Sequence, residues 1–264
     1  MRHSFFRAPR PLVFAHRGGS ALAPENTIAA FDNGLRLGAD GLELDVHLSH
    51  DGVVVVHHDR TLDRTTPLSG PVAACSAAEL NSVRVPAFAD VLARYRDTRL
   101  IVELKVDRPA LAAAVVDAVR RAGAVDRVCL GGFGRRVLRA ARRLEPEIAT
   151  SAAREEVRWA LYRSWVRWPV TRVAYDGYQV PEWSGRTRVV SPRFVDAAHR
   201  AGLGVQVWTV DREDDARRLL AWGVDALITD RPDIIVPVVK NHEGTKGLGD
   251  WGTTTPPDRA TDRS

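Results

Sequence analysis

Short apolar runs bounded by turn residues recur along this chain and alternate with stretches in which apolar residues repeat every three or four positions. That alternation is the signature of successive strands and helices. The run at 12–15 ends on His16-Arg17-Gly18-Gly19, a buried strand opening into a turn where backbone can approach a ligand. Pro24-Glu25-Asn26-Thr27 then starts a helix, with Ile28, Phe31 and Leu35 at helical spacing up to Gly38. The next strand, 41–47, alternates strictly: Leu42, Leu44 and Val46 point one way, and Glu43, Asp45 and His47 the other. Ser49-His50-Asp51-Gly52 is a turn signal, and the β-branched run at 53–56 behind it reads as a hairpin strand. Residues 60–86 carry turn residues and little periodicity, so they read as an insertion over one end of the fold.

The pattern predicts helix 88–95, strand 100–106, helix 109–121, strand 127–130, helix 135–144, strand 148–151, helix 155–163 and strand 173–175. Helix 192–201, strand 204–209, helix 213–221, strand 226–229 and a last helix 232–239 follow. With 53–56 set aside as part of an insertion at about 47–86, after the second barrel strand, eight strand–helix pairs remain, the requirement of a (β/α)8 TIM barrel. The expected organisation is an N-terminal extension at 1–11, one α/β barrel domain at 12–239 and a disordered tail at 240–264, rich in Gly, Thr, Asp and Pro.

Composition narrows the classes. At 264 residues and 45% hydrophobic, the chain can bury one barrel-sized core. A net charge of +5 attracts anions, but no basic run is dense enough to favour nucleic acid. Cys75 and Cys129 lie on different predicted elements and read as buried thiols of a reducing compartment. No stretch approaches the roughly 18 apolar residues of a membrane span, and the first residues lack a signal-peptide core, so the expectation is a soluble, cytoplasmic protein.

In a barrel, His16, Glu43, Asp45, Glu103 and Lys105 would come from the C-terminal ends of three strands and meet at one mouth, where barrel active sites are built. Side-by-side carboxylates repel and lose hydration, which makes them a poor structural device unless a cation sits between them. An all-oxygen set points to Mg²⁺ or Ca²⁺ rather than zinc or copper. Imidazole titrates near neutrality, so His16 and His58 are candidates for a general acid and base, with His57 ambiguous by position alone. His3, His50, His199 and His242 read as ordinary hydrogen-bonded residues. Arg17 is shaped for bidentate phosphate binding. At 158–168, Trp159, Tyr162, Trp165 and Trp168 interleave with Arg158, Arg163 and Arg167. An amphipathic barrel helix is the plain reading, and a peripheral patch meeting lipid is the sharper one.

These residues closely resemble the glycerophosphodiester phosphodiesterase family. The resemblance rests on His16-Arg17-Gly18, Pro24-Glu25-Asn26-Thr27, Glu43-Leu44-Asp45-Val46, Asp51-Gly52, His58-Asp59 and Thr61-Leu62-Asp63-Arg64-Thr65-Thr66. Glu103-Leu104-Lys105, Val207-Trp208-Thr209-Val210 and Ile228-Thr229-Asp230-Arg231-Pro232 extend it to about residue 233. It implies metal ligands Glu43, Asp45 and Glu103, and an acid/base pair of His16 and His58 in preference to His57. Phosphate contact by Arg17 is also implied, with Lys105 and Trp208 as further substrate-binding residues. The implied reaction is metal-dependent hydrolysis to glycerol 3-phosphate and an alcohol, with the substrate's own 2-hydroxyl as first nucleophile and a cyclic phosphate between. A lysophospholipase D acting on lipid, favoured if the aromatic stretch is exposed, and a catalytically silent phosphate-binding barrel are the alternatives. Gly132-Phe133 stands where the family commonly has Ser-Phe, and Asp211 where it often has Asn, which bears on the alcohol pocket.

Overall fold

The computed structural model describes residues 3–171 and 173–247. After a short 3-10 turn at Ser4–Phe6 come β1 (Leu12–His16), α1 (Ile28–Arg36), β2 (Gly41–Leu48) and β3 (Val54–Val56), then a turn at Val72–Ala74, α2 (Ala77–Ser82), α3 (Phe88–Arg94) and β4 (Arg99–Leu104). The chain continues through α4 (Pro109–Arg121), β5 (Val128–Gly131), α5 (Arg135–Leu144), β6 (Ala149–Thr150), α6 (Arg154–Trp165) and β7 (Gly177–Pro181). It ends with the hairpin β8 (Trp183–Ser184) and β9 (Thr187–Arg188), α7 (Pro192–Arg200), β10 (Gly204–Trp208), α8 (Glu213–Ala221), β11 (Ala226–Thr229) and α9 (Pro232–Gly247).

Eight strands run parallel in the order β6-β5-β4-β2-β1-β11-β10-β7, and a parallel bridge from Ser151 to Gly177 brings the two ends together as a nearly closed barrel. β3 lies outside it, paired antiparallel with β2, Val46 opposite Val56. The insertion after β2 has its own apolar cluster of Val55, Leu62, Val72, Leu80 and Val85. Outward-facing strand residues such as Leu42, Leu44, Val102 and Leu130 pack against the helices. That burial is what holds helices to sheet, at about 25 cal/mol per Å² of apolar surface.

Three sequence expectations shift. The barrel strand expected at 173–175 is β7, four residues later: the apolar Val173-Ala174-Tyr175 run mimics a strand, whereas β7 turns Tyr178 and Val180 to the helices and leaves Gly177 and Gln179 on its alternate face. The last helix continues past Val239 to Gly247, so the first eight residues of the expected tail are helical, and 248–264 lie outside the described residues. The N-terminal extension is part of the core. Phe5 and Phe6 are buried with Phe14, Ile101, Cys129 and Ile228 in a cluster separate from the strand–helix layers. A Cβ on Gly177 or Gly204 would stand within 2.5 Å of the Phe6 ring, so glycine at both strand starts makes room for it. Both cysteines are free, Cys129 buried and Cys75 half-buried.

Candidate active site

The C-terminal ends of the barrel strands open into a pocket of about 930 Å³ lined by His16, Arg17, Glu43, Asp45, His58, Glu103, Lys105 and Trp208, so every residue singled out from the sequence reaches one cavity. β1 delivers His16, β2 delivers Glu43 and Asp45, β4 delivers Glu103, and the register Asp45↔Glu103 sets those two side by side. His58 arrives from the end of the β3 hairpin and Trp208 from the end of β10.

Glu43, Asp45 and Glu103 each offer an oxygen, all within 4.8 Å of one another, so the three can hold a metal ion. Glu43 and Asp45 are 4% and 1% exposed. Burial, and then the negative charge of Asp45 and Glu103, push the Glu43 carboxyl well above the usual carboxylate range despite the opposing pull of His16. A hard cation relieves that repulsion, and the all-oxygen donor set fits one. Lys105 already supplies part of the compensation: its Nζ lies 3.0 Å from Glu103 and 3.3 Å from Asp45. Burial lowers its pKa, but the two carboxylates outweigh burial and raise it.

Turn geometry places the first loop. Arg17, Gly18 and Gly19 all have positive φ, and a Cβ at Gly18 would meet the backbone of Ala30 at 2.6 Å, so only glycine fits. The Arg17 backbone N–H donates to Glu43 at 3.1 Å. Its guanidinium donates to Glu25 at 3.1 Å, and its Nε lies 3.2 Å from Asp45 without hydrogen-bond geometry, a buried donor left for another acceptor. Asn26, buried and also at positive φ, donates to Asp45 at 2.9 Å and accepts from the Asp45 backbone N–H, while Thr27 caps α1. The Pro-Glu-Asn-Thr segment is thus more than a helix start, because its Glu and Asn brace Arg17 and Asp45.

Both histidines are backed by a carboxylate. His16 Nδ1 is 2.7 Å from Asp230, whose pKa is lowered because its bond to His16 outweighs burial. An ionised carboxylate only accepts, so Nδ1 carries the proton and Nε2, 3.7 Å from Glu43, is the free nitrogen. Burial depresses the His16 pKa, but Glu43 and Asp230 outweigh it and lift it to about 9. His58 Nδ1 is 2.6 Å from Asp59, and Arg64, whose Nε is 2.6 Å from the same carboxylate, holds Asp59 far below its ordinary value. The same arginine forms a bidentate pair with Glu25 at 2.7 and 2.9 Å. One chain of contacts therefore runs from His58 by a hydrogen bond to Asp59, and on by ion pairs through Arg64, Glu25 and Arg17 to Asp45.

His57 is separated from this chemistry. It is buried, its backbone N–H donates to the Asp45 carbonyl, and its Nε2 is 3.1 Å from the Thr61 carbonyl. His47, on the polar side of β2, has its pKa lowered by burial, and its Nε2 donates to the His58 carbonyl at 3.2 Å. Asp230, Asp59, Glu25, Asn26 and Arg64 join the site through contacts that the sequence pattern does not announce. Asp230 carries the clearest signal among them, as a carboxylate directly after the strand that neighbours β1 in a closed barrel.

The family model for the glycerophosphoryl diester phosphodiesterase family matches residues 16–234. A glycerophosphodiester phosphodiesterase of Caldanaerobacter subterraneus is 29% identical over 88% of this chain and 98% of its own length. A crystal structure of a glycerophosphodiester phosphodiesterase from Agrobacterium tumefaciens superposes with a TM-score of 0.72 at 28% identity, covering 86% of this chain and 99% of that one. An Oleispira antarctica phosphodiesterase, solved in complex with the product sn-glycerol-3-phosphate, gives a TM-score of 0.72 at 26% identity over 88% of this chain and 97% of its own.

Proposed function

The chain belongs to the glycerophosphoryl diester phosphodiesterase family and is a phosphoric diester hydrolase, and on that premise we propose that it cleaves glycerophosphodiesters to glycerol 3-phosphate and an alcohol with His16 and His58 as its acid/base pair. The observation that carries this reading is the matched environment of the two imidazoles. Each has Nδ1 tied to a carboxylate and Nε2 left for substrate, in a pocket with three convergent carboxylates. In this reading Glu43, Asp45 and Glu103 hold Mg²⁺ or Ca²⁺, which would neutralise the diester's charge and acidify the glycerol 2-hydroxyl.

The remaining work falls to the chain. Arg17 and Lys105 draw the phosphate oxygens into the pocket, and the ring of Trp208 holds the substrate's carbon skeleton. One histidine takes the 2-hydroxyl proton through Nε2 while the other protonates the departing alcohol, and the roles reverse when water opens the cyclic phosphate. An internal hydroxyl is already beside phosphorus, so little translational freedom is lost on attack. A second reading, a lysophospholipase D at a lipid surface, is favoured by the exposure of Trp159 and Trp168, 67% and 64%, beside the pocket-lining Trp165.

The test is hydrolysis of glycerophosphocholine, glycerophosphoglycerol and a lysophospholipid by chelator-treated protein, with and without Mg²⁺ or Ca²⁺. Activity should depend on the cation, and His16→Ala and His58→Ala should each lower kcat by about 10² or more. Full activity without a cation, or with either histidine removed, refutes the mechanism. Faster turnover of the lysophospholipid selects the second reading.

A further inference from the structure

The pocket has two chemically different halves. Around the barrel, β1, β2 and β4 carry His16, the carboxylates and Lys105, while β6, β7 and β10 lie across the circle from them. On that far side α6 presents a stripe at helical spacing, Arg154, Val157, Arg158, Leu161 and Trp165, and all five line the pocket. Phe133 and Trp183 complete the wall. Among the described residues, Glu43, Asp45 and Glu103 are the only carboxylates lining the pocket, and all three are on the opposite side. Arg154 and Arg158 make no ion pair among the described residues. Arg154 is instead held 5.0 Å above the Phe133 ring, which packs edge-on against Trp208 at 6.2 Å.

In-line displacement at phosphorus sets the leaving alcohol across from the attacking oxygen. With the attacking hydroxyl on the side of His16 and the carboxylates, the alcohol points at the α6 wall. A quaternary ammonium there would need an open aromatic face and a nearby acid. It finds no acid, since no carboxylate lines this half of the pocket, and two of the wall's rings are already taken, Phe133 by Arg154 and Trp183 by Arg188 at 5.0 Å, which leaves Trp165 as the one uncovered face that α6 brings to the pocket.

From this we propose that Arg154 and Arg158 form a subsite that selects glycerophosphodiesters whose alcohol bears negative charge over those with a choline or ethanolamine headgroup. The proposal rests on the hydrolase reading above and names the class of alcohol for that site. Two unpaired guanidinium groups facing a partly solvated ligand are expected to separate an anionic from a cationic alcohol by about ten-fold, and the preference should shrink as salt screens it.

The experiment compares glycerophosphocholine, glycerophosphoglycerol and glycerophosphoinositol 4-phosphate on wild type and an Arg154→Gln/Arg158→Gln double variant, with divalent cation present. Binding is read by tryptophan fluorescence, since Trp165, Trp183 and Trp208 line the pocket, and turnover by kcat/KM. Both arginines are exposed at the rim, so the variant should fold. The expected result is about ten-fold tighter binding and higher kcat/KM for the inositol phosphate diester than for the choline diester, with the ratio falling towards one in the double variant. Equal or tighter binding of the choline diester by wild type, or a double variant that weakens all three substrates by one factor, overturns the subsite. The binding arm decides this even where none of the three is cleaved, a result that would count against the hydrolase reading instead.

Discussion

Without a divalent cation, the carboxylate cluster should make the protein less stable as pH rises. His16 and Glu43 both bind a proton more tightly in the folded chain than in the unfolded one. For His16 the stabilisation is complete below its ordinary value of 6.5 and is lost as pH rises through about 9. Glu43 acts in the same direction from the ordinary carboxylate range upward, because burial and the charge of Asp45 and Glu103 penalise its ionised form. The two face each other at 3.7 Å, so their effects describe one shared proton and do not add. The rise of His16 from 6.5 to about 9 is then worth about 3 kcal/mol. At about 0.5 kcal/mol per kelvin for a chain of this length, the melting temperature of chelator-treated protein should fall by about 6 °C between pH 6 and 9. Cation binding requires ionised Glu43, so the rise in melting temperature on adding Mg²⁺ or Ca²⁺ should grow over the same interval. At a hundred times the dissociation constant it should reach about 5 °C. Calorimetry across this range, with Glu43→Gln as the variant whose slope should flatten, reads both effects. A melting temperature that climbs with pH in the metal-free protein, or a cation increment equal at pH 6 and 9, would refute the reasoning.

Asp230→Asn should lower kcat by about ten-fold or more and shift the pH profile, because a neutral amide holds the His16 Nδ1–H less firmly than a carboxylate and the imidazolium loses a favourable charge. An unchanged profile would mean that Asp230 does not position His16. Phe6→Ala should cost about 3–5 kcal/mol of stability, since the ring fills space that glycines at 177 and 204 leave for it, yet kcat well below the melting temperature should be retained. A variant melting like wild type would place Phe6 outside the core.

The barrel strands were legible where local alternation and burial agree. On β2 every outward position is Leu or Val and, after Gly41, every inward one is polar, so a single pattern yields both the element and the site. β7 was misread because its alternate positions, Gly177 and Gln179, are set by long-range partners: the Phe6 ring, and Gln206, to which Gln179 donates at 2.9 Å. Neither partner leaves a mark in the local sequence. The N-terminal phenylalanines failed for the same reason, since three residues of 3-10 turn have no periodicity to read. His57 and His58 follow one another at the end of a single β-branched run, so the local pattern does not choose between them. The fold separates them because His57 continues the hairpin and turns its ring to Thr61, which leaves the following residue facing the pocket.

The same distinction explains which site residues the sequence hid. Glu43, Asp45 and Glu103 announce themselves because a carboxylate on a buried strand needs a compensating charge. Glu25 and Arg64 do not, because charged residues in loops are ordinary, and these two stand 39 positions apart. Arg64 is also half exposed, so its pairs with Glu25 and Asp59 contribute little to global stability. Their effect is one of placement. A single guanidinium fixes Asp59 beneath His58 and, through Glu25, fixes Arg17 beside Asp45, so the side chains of the βα loop after β1 and of the β2 insertion hold one arrangement. For the proposed pairing of His16, at the end of β1, with His58, in the insertion after β2, these two segments must be set relative to one another to within a hydrogen bond's tolerance. An ion-pair chain spanning them does this where the barrel strands beneath, which support only the loop ends, cannot.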